Sequence, residues 1–358
     1  LVNIDSLNEL FNFSAIHSVT FCTVFNQLIH EIKRSPVIVT TLDSEMISIT
    51  WQFVILILTG FSISLGLFMS YSLKLPPIVI GIVLIVALLV IVTMYASDRW
   101  RSETDKLRVK LTNGQQPIQP KTYDPKEITG LPEPVQRFFN AVLQDGQAIA
   151  TKVELSQHGQ FHMNETEAKW HKFTATQLVT TQKLGFDWDA KIQMIPFINV
   201  FVHDTYRLGE GTLQASILGL FTVAKMHNTT ELNQGELLRF LAETVWYPTA
   251  LLPSQGVVWE AIDQHSSRAT LNDGKTTASV VFQFDAEGLI TSMRAEARCY
   301  RVVGDKSMFM PWVGNFREYA IHNGMRIPLE GEVGWEHPEG IRLYFKGKIT
   351  KISYEFAS

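Results

Sequence analysis

Residues 280–298 read VVFQFDAEGLITSMRAEAR. Val280, Phe282 and Phe284 share one face of an extended chain, and Asp285–Gly288 supplies a turn. Leu289, Met293 and Ala295 then return against Arg294, Glu296 and Arg298. Period-two alternation on both sides of a turn is the pattern of an antiparallel hairpin with one face on a core. Working outward, Asn272-Asp273-Gly274, Asn323-Gly324 and Pro338–Gly340 are further turn signals. Asn-Gly and Asp-Gly accept the positive φ that a two-residue hairpin needs. The last hundred residues are therefore expected to form one long antiparallel meander, with Arg294, Glu296 and Arg298 as a ladder on a single strand face.

The pattern continues upstream. Val153, Leu155 and Phe161 alternate with Glu154, Ser156, His158 and Gln160. Phe173–Val179, Asp187–Met194 and Asn199–Leu208 read as strands, and Gly209 and Gly211 mark a turn. Leu213–Lys225 reads as one strand buried on both sides. Gln234–Val245 breaks the alternation: Leu237, Leu238, Leu241 and Val245 have helical spacing, and Pro248 ends the run. A shorter helix opens at Leu131-Pro132-Glu133-Pro134 and places Val135, Phe138, Phe139 and Val142 on one face. Residues 126–358 are thus expected to be a mainly antiparallel β (α+β) domain, an open or half barrel with one or two covering helices.

Two apolar runs precede this domain, Trp51–Met69 and Ile78–Met94, joined by a link containing Pro76-Pro77. Each approaches the ~20 residues that cross a bilayer as a helix, and neither carries an Asp, Glu, Lys or Arg. They predict a two-helix transmembrane hairpin over 51–96. Arg99, Arg101, Lys106, Arg108 and Lys110 follow the second run, while the link has only Lys74. The excess of basic residues predicts a soluble domain on the cytoplasmic side of the membrane. Residues 97–125 read as a charged stalk and a Gly-, Gln- and Pro-rich linker. Residues 1–45 read as an N-terminal arm, and Met46 would make an ordinary start. They are expected to be an upstream extension, which an intact mass of native protein decides.

Composition excludes some functions. Net charge is −4 with a pI near 6.2, so no basic footprint points to nucleic acid. Two cysteines, Cys22 and Cys299, make no disulfide framework. There is no nucleophile elbow, phosphate-binding loop or zinc-protease motif, and Gly209-Glu210-Gly211 lacks the third glycine of a dinucleotide fingerprint. His158 and His162 sit ~13 Å apart on a strand, too far for one ion, so no metal and no cofactor are expected. The candidate site is instead a cavity. Trp246, Trp259, Trp312 and Trp335 fall in turn-rich segments, where a curved sheet can enclose an apolar ligand or simply pack a core. Glu236, Arg239 and Glu243 lie on one side of the lone helix, as a surface ion-pair row or as a polar patch at a cavity mouth. Glu260 adds another carboxylate.

Several segments together resemble a bacterial family of unknown function. They are Leu131-Pro132-Glu133-Pro134, Gly185-Phe186-Asp187-Trp188-Asp189-Ala190, Gly235-Glu236-Leu237-Leu238-Arg239, Trp246-Tyr247-Pro248 and Glu332-Val333-Gly334-Trp335. The resemblance spans roughly residues 130–355, implies a bacterial inner membrane protein and implies no catalytic residues. The curved sheet with a helix, and the Phe284–Ile290 hairpin, are also similar to half-barrel carriers of lipoproteins and lipids. Such carriers are periplasmic, in conflict with the charge rule. The leading expectation is a non-enzymatic, membrane-tethered binding module for a lipid or other apolar ligand. The alternatives are an enzyme using the Glu/Arg cluster and a structural subunit of a membrane complex.

Overall fold

In a computed structural model, residues 77–115, 117–162, 169–196, 198–304 and 306–358 are described. They fall into two compact units, one ending at Ala96 and one holding Ser97–Ser358. The first apolar run, 51–69, lies outside the described residues, as does the N-terminal arm. The second run lies on helix α1 (Pro77–Thr112), which is long and apolar enough to cross a membrane.

Among the described residues, thirteen antiparallel strands follow in one sheet. β1 (Ala150–His162), β2 (Trp170–Thr180), β3 (Gly185–Ile195), β4 (Ile198–Arg207), β5 (Glu210–Ile217) and β6 (Phe221–His227) form a first meander that walks to one edge. The second meander starts at the opposite edge. Its strands are β7 (Val258–Ala261), β8 (Ser266–Asp273), β9 (Thr276–Phe284), β10 (Ile290–Val303), β11 (Lys306–His322), β12 (Met325–His337) and β13 (Gly340–Phe356). It walks back until β13 pairs with β1, and the edges β6 and β7 stay unpaired with each other.

The expected meander at the C-terminal end is present, with turns where Asn-Gly and Asp-Gly place them. One upstream expectation is corrected. Leu213–Lys225 is two strands, β5 and β6, with a turn at Leu218-Gly219-Leu220. Leu218 adopts a positive φ of 55° in this turn, and no polar residue announces it.

The β1–β13 seam is where strand pairing joins the two meanders, and it is built on a close approach. Gly159 stands opposite Gly347. A Cβ on Gly159 would lie 1.9 Å from the Lys346 carbonyl oxygen. Backbone cannot yield as a flexible side chain would. Gly159→Ala is therefore expected to cost at least the ~1–3 kcal/mol of core overpacking, read as a lowered denaturation midpoint.

α2 (Glu133–Val142) buries the predicted stripe: Phe138 and Phe139 meet Phe284, Tyr123 and Trp259. α3 (Thr230–Glu243) carries the chain from the β6 edge towards the β7 edge and is capped by the Thr229 side chain, which accepts from the Leu232 amide. α3 packs on β4 and β5 and also on β9 and β10. β5 and β9 are nine inter-strand steps apart in the sheet, ~43 Å if it were flat. The sheet must therefore wrap around α3. A direct contact agrees, since the Tyr206 hydroxyl on β4 donates to Asp273 on β8 at 2.9 Å.

The last turns of α1 dock on the opposite face of β2, β3 and β4. Trp100 stacks on His203 at 4.1 Å and donates to Asp189. Thr104 meets Asp189 and His203 Nε2, and Arg108 donates to Asp187 at 2.9 Å and to Thr176. Burial lowers His203 to about 4, leaving it neutral at pH 7. Burial also raises Asp187 to about 7, against the pull of Arg108. A raised folded pKa gives stability that is full below the ordinary value of 3.8 and lost as pH climbs through about 7. Asp187→Asn is expected to flatten that decline, which runs at up to ~1.4 kcal/mol per pH unit. Denaturation midpoints of both chains, measured across this window, check it.

Candidate functional site: a buried charge cluster beside an aromatic cleft

β3 turns Phe186 and Trp188 towards α3 while Asp187 and Asp189 face α1, as strand alternation requires. On α3, Glu236, Arg239 and Glu243 recur at spacings of three and four and so share one side. That side meets the sheet, not water. Arg239 lies over both rings, 4.9 Å from Phe186 and 5.0 Å from Trp188. Its Nη1 donates to Asp204 of β4 at 2.5 Å and its Nε to Glu243 at 2.8 Å. Gln177 of β2 donates to the other Glu243 oxygen.

Arg298 enters from the opposite side of the sheet. The register of β10 against β11 shifts between Ala295 and Arg298. This bulge reverses the parity of the strand. Arg294 and Glu296 stay at the surface, where they pair with each other. Arg298 is turned inward to 1% exposure, so the expected single-faced ladder is corrected. Its guanidinium sits 4.3 Å from the Trp312 ring and 3.7 Å from Glu236.

Three carboxyls, Asp204, Glu236 and Glu243, thus share the interior with two guanidiniums, Arg239 and Arg298. One proton balances the charge. Burial, with the nearby Asp204 charge, pushes Glu236 well above the ordinary carboxyl range, against the attraction of Arg298 and Arg239. Burial raises Asp204 as well, against Arg239. Asp204 Oδ1 and Glu236 Oε2 are both buried without a hydrogen-bond partner, and the two carboxyls act on each other electrostatically. A proton held between them satisfies both. Glu236 is 1% exposed, so this carboxyl is out of reach of bulk substrate.

Next to the cluster is a cleft lined by Arg239, Glu243, Trp246, Trp312, Phe316 and Phe345. Its free volume is about 40 Å³. That admits a few waters, at ~10–15 Å³ each, and falls well short of the ~300–1,000 Å³ of small-molecule pockets. Trp246 Nε1 and Arg298 Nε and Nη1 are buried with no partner.

The predicted site residues divide accordingly. Glu236, Arg239, Glu243, Trp246 and Trp312 come together. Trp335 stands opposite Trp312 in register and packs on Tyr300 and Tyr344. Trp259 lies elsewhere, between Phe139 and Phe282, donating to the Leu251 carbonyl. Glu260 is an exposed edge residue paired with Arg268. Sequence reasoning missed Asp204, Gln177 and Arg298. An Asp within the apolar run Phe201–Tyr206 was the available signal for the first; the bulge hid the last.

Comparison with known proteins places this site in context. Residues 129–354 match the profile of a family described as "Family of unknown function (DUF6920)", in keeping with the resemblance over roughly 130–355. No curated protein matches the chain. Among solved structures, a LolA-superfamily protein from Nitrosomonas europaea is similar at 9% identity and a TM-score of 0.28, over 62% of this chain and 93% of that one. A beta-barrel-like protein of domain of unknown function DUF1849 from Brucella abortus is similar at 9% identity and a TM-score of 0.18, over 58% and 99%.

Proposed function

The chain belongs to the DUF6920 family of unknown function, and from that premise we propose a membrane-tethered, non-enzymatic binding module for a lipid or other apolar ligand. The tether is the apolar hairpin over 51–96, and the basic residues after it favour a cytoplasmic domain. The sheet acts as a half barrel, with α3 as its plug.

The observation that carries this reading is the cleft between α3 and the sheet. Its walls are mostly aromatic and aliphatic, and one of them is Trp246, whose buried Nε1–H has no partner. Such a group costs ~1–3 kcal/mol when buried unsatisfied. A ligand with an apolar body and an acceptor at one end would remove that cost and keep the walls covered.

The cleft is too small for such a ligand as it stands, so α3 and the turns that follow it must swing outward. Ion pairs hold the centre of α3 against the sheet, and their rehydration offsets part of the cost of withdrawal. The test is titration of the full chain with a fluorescent fatty acid. Saturable binding is expected, weakened about tenfold (~1.4 kcal/mol) by Trp246→Ala and by the cleft-filling Ala242→Phe. Unchanged affinity in both variants, with native circular dichroism, contradicts the reading.

A further inference from the structure

Two neighbouring hairpin ends lack the polar residues that usually accompany Gly and Pro in turns. Turns are normally built from Gly, Pro, Asn, Asp and Ser. The β3–β4 end carries Ile195, Pro196 and Ile198, and the β5–β6 end reads Ile217-Leu218-Gly219-Leu220-Phe221. Phe221 is 65% exposed. The two ends lie side by side: Val200 pairs with Ile217, and the Leu218 amide donates to the Asn199 carbonyl at 2.9 Å.

The other end of the same strands is a control within the molecule. There the β2–β3 turn contains Thr181, Gln182 and Lys183, and Leu208-Gly209 is flanked by Arg207 and Glu210. Charge follows the same division. Residues 190–203 and 214–226 contain no Asp or Glu, and their only formal charges are Lys191 and Lys225, both exposed.

The docked turns of α1 say which end is which. Trp100 contacts Asp189 and Phe201, Arg108 contacts Asp187, and Leu111 abuts Gly185. The helix therefore runs antiparallel to β3. The strand continues ~20 Å past Asp189, towards the side from which α1 arrives. The apolar run Ile78–Met94 ends three residues before Ser97, so chain connectivity alone keeps the docked segment within a few residues of that run.

We infer that the β3–β4 and β5–β6 hairpin ends dip into the lipid bilayer that holds the apolar helix, with Phe221, Leu220 and Leu218 among the acyl chains and Lys191 and Lys225 at anionic headgroups. Apolar side chains rimmed by lysines are the interfacial pattern of peripheral membrane contact. The inference stands on the hairpins and on chain connectivity, and does not rest on ligand binding in the cleft. Its consequence is orientation: the sheet is held by two attachments, the helix and the hairpin ends.

The experiment uses the full chain with Cys22→Ser, reconstituted in phosphatidylethanolamine/phosphatidylglycerol vesicles. Burial pushes the Cys299 thiol up to about 11, so an environment-sensitive fluorophore goes to an added cysteine. Phe221→Cys, at an exposed position, and Leu220→Cys, at a half-buried one, sample the apolar end, and Leu208→Cys, exposed like Phe221, samples the opposite end. The expected result is blue-shifted emission at 220 and 221 that brominated acyl chains quench, with neither effect at 208. Emission at 220 and 221 matching that at 208 overturns the inference. So does a blue shift that brominated lipid fails to quench, which would assign the patch to a protein partner.

Discussion

Arg239→Ala lowers the unfolding free energy of the β domain by about 3–5 kcal/mol. The guanidinium is the hub of the interior: it pairs with Asp204 and Glu243 and covers the faces of Phe186 and Trp188. Truncation leaves two buried carboxylates without their cation. The effect belongs to burial rather than to ion pairing as such. Arg268→Ala, which breaks the exposed pair with Glu260, is expected to cost under ~1 kcal/mol. Denaturant unfolding of the two variants side by side checks the contrast. Equal, small losses would mean that the cluster is hydrated.

Glu236→Gln acts in the opposite direction and depends on pH. The native carboxyl has its pKa raised by burial and by the Asp204 charge, against two arginines. Its stabilising contribution is therefore full below the ordinary value of 4.5 and is lost as pH rises through the raised value. Glutamine keeps the shape, donates to Asp204 through its amide, and leaves two carboxylates facing two guanidiniums. The variant should lose one proton's worth of pH slope, up to ~1.4 kcal/mol per pH unit, and should be the more stable chain in alkaline buffer. Parallel pH profiles for the two chains would place the shared proton elsewhere.

The contrast between strand signal and site signal has a physical origin. Alternation at Val280–Phe284 and Asn-Gly at 323–324 fix local geometry with nearby residues alone, so the C-terminal meander was legible. α3 was legible too, from Leu237, Leu238 and Leu241. Its polar side was not. Spacings of three and four put Glu236, Arg239 and Glu243 together but carry no information on whether that side meets water. What buries it is the wrap of a sheet whose halves are distant in sequence, bringing Asp204 and Arg298 to the same helix. A single bulge turned Arg298 inward, and alternation cannot anticipate a bulge. The turn at Leu218-Gly219-Leu220 was missed for another reason: it lacks the polar residues that mark turns, and that same lack points to lipid.

The central claim is that the space between α3 and the sheet receives an apolar ligand. Mass spectrometry of an organic extract of the purified full chain tests it most directly. The account predicts a lipid or other apolar compound at about one per chain, lost in the Ala242→Phe variant. A well-folded chain that yields no such compound, or one retained equally by Ala242→Phe, would contradict it.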